Sequence, residues 1–337
     1  MNVYFTVDTE SSMGGAFQDA SRHPLPAERM TFCRIGSREY GIGLLADAFS
    51  RFGFRGTYFV ETLVTLTNGD HDMAPVFDYL LARGQDVQLH AHPVYYFYSQ
   101  RAVARAKGLP FQCPDWPDGI GRLSEPLQLE VLEAAAMQFR KLAGYAPSAF
   151  RAGSFAASTS TLRCLRKLNI RVDTSFNPCY PELSFPGEGL VPNQVECREG
   201  VWELPVTVAI TAIPEGQTRF RHADPSAVSV EELRLMLETA AGHGQKHFVI
   251  LFHSFSAVKA SDMRYSKMRP NRLVIHRLHK LLAYLASRPD LYEVKTFADL
   301  AQSLNALAPE SPPLARLGWF HSTVRKTMQG INRWYWL

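Results

Sequence analysis

Short apolar runs alternate with stretches of helical periodicity along this chain. They predict an α/β protein: a parallel sheet closed, or nearly closed, into a barrel with helices outside. Three observations carry the prediction. Strand-like and helix-like segments succeed each other about seven times over most of the 337 residues. No Gly-x-Gly-x-x-Gly follows any of the strands, which weighs against a dinucleotide-binding sheet. Polar residues stand repeatedly where strands hand over to loops, the rim on which parallel barrels build their sites.

The elements follow in order. Val3-Tyr4-Phe5-Thr6-Val7 reads as a buried strand. Residues 40–52 carry Ile42, Leu45, Ala46 and Phe49 at helical spacing, and Gly53 supplies the stop. Residues 57–60 form the next strand, and Val76, Phe77, Tyr79, Leu80 and Leu81 mark the next helix. Residues 87–89 lead into His90-Ala91-His92-Pro93. Residues 97–125, rich in Pro, Gly and aromatics, fit neither period and predict a long loop, a kind of segment that usually carries function. An amphipathic helix over 127–142 precedes a strand that enters Arg151-Ala152-Gly153-Ser154-Phe155. Ile170-Arg171-Val172 leads to Asp173-Thr174-Ser175, and residues 201–210 read as strand. Ser229 and Glu232 form a capping box that opens a helix to Ala241. Residues 247–252, the most apolar strand, meet His253. A helix with Val274, Leu278, Leu281, Leu282 and Leu285 and a strand over 292–295 close the body.

Composition bounds the function. A hydrophobic fraction of 46% and a charged fraction of 20% exclude a disordered or fibrous chain. A net charge of +4 is too small to imply nucleic-acid binding. That charge gathers in residues 313–337, which hold Arg316, Arg325, Lys326 and Arg333 and no acid. Cys33, Cys113, Cys164, Cys179 and Cys197 are widely spaced, odd in number and free of a Cys-x-x-Cys pair, which points to a reducing compartment. No secretory leader and no window of 18 apolar residues is visible, so the expected location is the cytoplasm. The chain divides into a body over 1–312 and a tail over 313–337. The tail also carries Trp319, Phe320, Trp334, Tyr335 and Trp336. Two readings stay open for it: peripheral contact with the headgroup region at the inner face of a membrane, or docking onto the barrel as a last helix.

Asp8, Glu10, Glu61, His90, His92, Arg151, Asp173 and His253 occupy successive strand ends. Each also has a structural reading: a cap or turn for Asp8 or Glu10, a surface ion pair for Arg151, a turn at Asp173-Thr174-Ser175, a satisfied core histidine for His253. As a set they suggest chemistry. His90 and His92 project from one face of an extended segment. With a carboxylate from a neighbouring strand they supply two imidazoles and one oxygen, leaving a position open as at a catalytic zinc. His23, His222, His243, His276, His279 and His321 lie in loops, at element ends or at exposed spacing, and His71 is an outside candidate ligand.

Five segments, taken together, resemble the polysaccharide deacetylase (NodB-homology) superfamily, also known as carbohydrate esterase family 4. Thr6-Val7-Asp8-Thr9-Glu10, Leu89-His90-Ala91-His92-Pro93, Phe150-Arg151-Ala152-Gly153-Ser154-Phe155, Val172-Asp173-Thr174-Ser175 and Leu251-Phe252-His253-Ser254 stand in the order of its five motifs. The likeness covers roughly residues 1–305 and is nearest the branch known as WalW-like or WbmS-like, associated with bacterial surface-polysaccharide clusters. It implies a distorted (β/α)7 barrel and metal-dependent hydrolysis of N-acetyl groups. Asp8 matches the catalytic base, Arg151 the arginine that holds it, His253 the catalytic acid, His90 the first metal histidine, and Asp173 loosely an acid that orients nearby groups. Two positions depart from the pattern. Thr9 stands where a metal-binding Asp is usual, so Glu10 is the substitute, and Val94 stands where the second histidine is usual, so His92 takes that role.

The implied chemistry uses a divalent metal, Zn2+ first, on Glu10, His90 and His92. Asp8 serves as general base, a backbone N–H of the Gly153–Phe155 turn faces the oxyanion, and His253 protonates the leaving nitrogen from the opposite side of the substrate. Tyr95, Tyr96, Phe97, Tyr98, Phe111 and Trp116 either stack on sugar rings or pack the loop. The expected partner is an N-acetylated sugar that is nucleotide-, lipid- or oligosaccharide-linked. Two other functions stay open: an inactive, glycan-binding relative of the deacetylases, and a non-haem iron oxygenase, which uses the same two-histidine, one-carboxylate donor set.

Overall fold

The computed structural model describes residues 1–19, 21–212, 218–310, 312 and 314–334. Nine strands build the main sheet: β1 (Asn2–Thr9), β2 (Thr57–Glu61), β3 (Asp86–Ala91), β4 (Ala149–Ala152), β5 (Val172–Asp173), β6 (Glu196–Arg198), β7 (Val201–Glu203), β8 (His247–His253) and β9 (Glu293–Lys295). Seven run parallel in the order β8-β1-β2-β3-β4-β5-β7. β6 adds antiparallel to β7, and β9 pairs with the first residues of β1. The ladder does not close between β7 and β8. There Thr207 bridges the gap, its N–H donating to the Val249 carbonyl at 3.2 Å and its Oγ1 accepting from Val249 N–H at 2.9 Å. This is the distorted barrel.

β1 sits centrally because both of its faces are suited to burial. Val3, Phe5 and Val7 face the helices and join Phe49, Phe248 and Phe252 in the principal core. Tyr4 faces the interior among Phe59, Val249 and Phe297. The helices cover the outer face as their spacing requires. Ile42–Arg51 buries Ile42, Leu45, Ala46 and Phe49, with the Phe49 ring 5.0 Å from that of Phe5. It ends at Gly53, whose φ of +72° suits a residue without a Cβ. Val230–Gly242 starts at the expected capping box, with Ser229 Oγ accepting from Glu232 N–H and Glu232 Oε2 from Ser229 N–H.

Two sequence expectations need correction. Residues 97–125 are not one loop, because Pro93–Ala106 is a helix with Pro93 in its first turn, a position that tolerates a missing N–H. Tyr95, Tyr96 and Phe97 are buried in it, so these rings pack the body rather than await a ligand. Irregular chain remains only between that helix and the short turn Ile120–Arg122. Residues 201–210 are two strands: Pro205 interrupts the run, and Val208–Ala212 leaves the barrel for a small sheet with Thr218–His222 and Arg316–Leu317.

Trp319–Trp334 is a helix docked on the barrel. The guanidinium of Arg325, only 2% exposed, meets the fully buried carboxylate of Glu232 at 2.9 Å, and Gln329 Nε2 donates to the Ser226 carbonyl at 3.1 Å. Of the aromatic residues read in the tail, Trp319 is 78% exposed, Tyr335 and Trp336 lie outside the described residues, and so do the side chains of Phe320 and Trp334. Among the described residues no helix is long and apolar enough to cross a membrane.

Removing one partner of a buried ion pair strands the other charge. Arg325→Leu is therefore expected to lower unfolding stability by about 3 kcal/mol or more in urea titrations. A change below about 1 kcal/mol would show that the docked helix contributes little to the folded body.

Candidate metal centre

Parallel register sets the site. Asp8 lies opposite His253 on β8, Glu61 on β2 opposite His90 on β3, and His90 opposite Arg151 on β4. Because these strands point the same way, their C-terminal residues reach one edge of the barrel together. The two-residue alternation of β3 sends Val87, Leu89 and Ala91 to the helix-side core. It sends His90 the other way, and His92, the first residue beyond the strand, stays on the same side as His90.

Glu10, His90 and His92 converge, with their ligand atoms all within 4.8 Å of one another. Glu10 Oε2 lies 2.6 Å from His92 Nε2 and 3.3 Å from His90 Nε2. Each ring is held through its other nitrogen. His90 Nδ1 lies 2.7 Å from the Arg151 carbonyl, and His92 Nδ1 lies 3.0 Å from Asp118 Oδ1. Anchoring of this kind frees Nε2 as the ligand atom and aims it. The donor set, two imidazoles and one carboxylate each already oriented, fits a divalent cation. Among the described residues these three form the one cluster of this kind, and His71 is no part of it.

Asp118 is the residue that sequence reasoning missed. It accepts from Ser154 Oγ at 3.0 Å as well as from His92, and so ties the turn after β4 to His92. Gly153 makes that approach possible: a Cβ there would fall 2.6 Å from His92 Nδ1 and 2.8 Å from the Ala91 carbonyl oxygen. Glu61 had a place on the strand-end rim but no role. Its fully buried carboxylate accepts from Leu63 N–H and His92 N–H, both at 2.5 Å, and fixes the backbone that presents His92. Burial pushes Glu61 up to about 7 against the opposing pull of the two imidazoles.

Burial also disfavours charge on Glu10 and His92, but their mutual attraction outweighs it. Glu10 is held well below the usual carboxylate range by His92 and His90. His92 is raised well above the usual imidazole range by Asp118 and Glu10.

Beside the cluster, Arg151 is fully buried and donates from Nη1 to Asp8 Oδ1 at 2.6 Å and to Thr6 Oγ1 at 2.9 Å. Its Nε donates to the Thr174 carbonyl and its Nη2 to Thr174 Oγ1, both at 3.1 Å. It is therefore no surface ion pair. His253 Nε2 lies 3.9 Å from Asp8 Oδ2. Base and acid candidates are thus neighbours on adjacent strands rather than opposed across the site, as the register of β1 and β8 demands. Asp173 reaches this group only indirectly. Its Oδ1 accepts from Ser175 Oγ at 2.7 Å, and that hydroxyl accepts from Ala152 N–H at 2.9 Å. Asp173 lies behind β4 and is not a member of the cluster. Burial raises its carboxyl, and raises that of Glu203 beside it further still.

Solved structures of other proteins share this framework. A protein from Mycobacterium smegmatis described as a polysaccharide deacetylase superposes at a TM-score of 0.51 with 14% identity, over 94% of each chain. The fold is that of the polysaccharide deacetylase barrels. Puue allantoinase superposes at 0.52 with 14% identity, over 92% of each chain. A 4-alpha-glucanotransferase from Thermococcus litoralis gives 0.50 with 13% identity, over 94% of this chain and 42% of that one. At such identities the likeness is one of fold. No family model and no curated protein matches the sequence.

A cation must displace the proton that Asp118 and Glu10 hold on His92, so affinity is expected to rise with pH through the neutral range. Calorimetric titration of Zn2+ in buffers of different ionisation enthalpy should report release of about one proton per ion at pH 7. Asp118→Asn should weaken binding by roughly 10–100-fold. Buffer-independent heats together with wild-type affinity in that variant would remove the ligand assignment.

Proposed function

We propose that this chain is a metal-dependent hydrolase that removes N-acetyl groups from an amino sugar in surface-polysaccharide or glycan-precursor biosynthesis. The observation that carries the reading is the placement of Glu10, His90 and His92 next to an Asp8–Arg151 pair and His253 at one rim of the barrel. The likeness of fold to polysaccharide deacetylase barrels supports it.

An amide is a weak electrophile with a poor leaving group, so its hydrolysis needs an activated water, a stabilised oxyanion and a proton for the amine. Glu10, His90 and His92 would hold a divalent ion, Zn2+ first among the candidates, which when bound would supply a water of lowered pKa and a Lewis acid. Asp8, oriented by the guanidinium of Arg151, takes the proton of the attacking water. A backbone N–H of the turn Gly153–Phe155, which is wound left-handed at Ser154 and Phe155, would face the oxyanion. His253 gives its proton to the nitrogen as the C–N bond breaks, releasing acetate and the free amine. Asp173 acts on this sequence only by holding β4, and through it Arg151, in place.

The same donor set serves non-haem iron oxygenases, but a parallel barrel with an acid–base pair beside the ligands favours hydrolysis. Acetate release from N-acetylated sugar nucleotides and oligosaccharides, lost on chelation and restored by Zn2+, is the expected result. Asp8→Asn and His253→Ala should each lower turnover by roughly 10²–10⁴-fold with an unchanged circular dichroism spectrum. Near wild-type turnover in both variants overturns the assignment. Sugar binding by the metal-loaded protein without acetate release would establish a glycan-binding protein instead, and iron-dependent oxygen uptake an oxygenase.

A further inference from the structure

Next to the metal centre the hairpin formed by Val208–Ala212 and Thr218–His222 faces the segment 178–181 across a groove of about 440 Å³. Arg219, Arg221 and His222 line it together with Tyr180 and Phe220, and among the described residues no carboxylate does. Arg219 is exposed and pairs with no acid among the described residues. Arg221 is partly buried, and its Nε, shut off from solvent, has no hydrogen-bond partner. Burial and the neighbouring guanidinium groups of Arg325 and Arg219 all press against its charge. The carboxylate of Glu232 is already taken by Arg325, and Asp224, 3.8 Å from His222, accepts from Ser226 N–H and Oγ. A guanidinium N–H shut off from solvent without an acceptor is costly to fold. Two arginines, with no acid among the described lining residues, make a fork for an oxyanion.

The groove is also close to the chemistry. Tyr180 stacks on Phe155, with ring centroids 5.6 Å apart and planes 8° from parallel. Phe155 ends the turn whose Ser154 holds Asp118 and whose Gly153 abuts His92. On its other side Tyr180 lies 6.2 Å from the ring of His222, which is near enough to His253 for the two charges to interact.

We propose that this groove is the subsite for an anionic group of the substrate, a phosphate or a carboxylate, so that the substrate is an acidic N-acetylated sugar rather than a neutral oligosaccharide. The proposal rests on the hydrolase reading above for the word substrate, but its test is a binding measurement. The metal-loaded full chain is titrated with N-acetylglucosamine, N-acetylglucosamine 1-phosphate, UDP-N-acetylglucosamine and N-acetylmuramic acid. At least one of the three anionic sugars should bind roughly tenfold or more tightly than the neutral one, and its identity separates a phosphate from a carboxylate. The Arg219→Met/Arg221→Met double variant should reduce that preference to within about twofold while leaving affinity for the neutral sugar unchanged. Arg219→Met alone, at an exposed position that does not threaten folding, should remove part of it. Equal affinities, no binding of any anionic sugar, or a preference that survives the double variant overturns the subsite. Selective binding without acetate release would retain the subsite and reject the hydrolase, whereas acetate release without selectivity would do the reverse.

Discussion

A single buried guanidinium organises the rim of this barrel. The side chain of Arg151 is wholly enclosed and joins β4 to β1 through Asp8 and Thr6, and to the segment after β5 through Thr174. Its own carbonyl oxygen receives Nδ1 of His90. One residue therefore positions a base candidate with its side chain and a ligand candidate with its backbone. Burial of such a cation is tolerable only with these acceptors in place, because an unpaired guanidinium in the interior costs several kcal/mol. The rigidity of the site and the stability of the barrel are consequently the same constraint, seen from two sides.

Around that constraint lies a shell that holds the imidazoles by their far nitrogens and by their backbone. Asp118 holds His92 from a loop, Glu61 holds the backbone of His92 from β2, and Ser154 holds Asp118 from the turn after β4. These contacts come from separate βα connections, so the orientation of His92 depends on the whole rim being assembled. The close passage of Gly153 over the His92 ring shows how little slack there is.

Much of the fold was legible from local pattern. The apolar run of β1, the capping box at Ser229 and the stop at Gly53 each act within a few residues, and each appears where the sequence placed it. Where local pattern misled, a distant partner had decided the outcome. The helix after His92 begins at a proline and buries adjacent aromatic residues, a face that helical periodicity alone did not reveal. The run over 201–210 looked continuous because Pro205 sits among β-branched residues, although it removes an N–H just where the chain leaves the barrel. For the tail, composition allowed two solvents, and the pairing of Arg325 with Glu232 chose the protein interior.

Residue types and their spacing were enough to nominate Glu10, His90, His92, Asp8, Arg151 and His253, because a short extended segment has only two faces and parallel strands end at one edge. They could not rank Asp173 below the others or nominate Asp118, since both roles are set by contacts across 23 and 26 residues of chain. Nor could they show that Asp8 and His253 stand side by side, for pairing between strands 245 positions apart is set by the packing of the assembled rim. Local periodicity is a property of the covalent chain, whereas the second contact made by each functional side chain exists only once the barrel has formed.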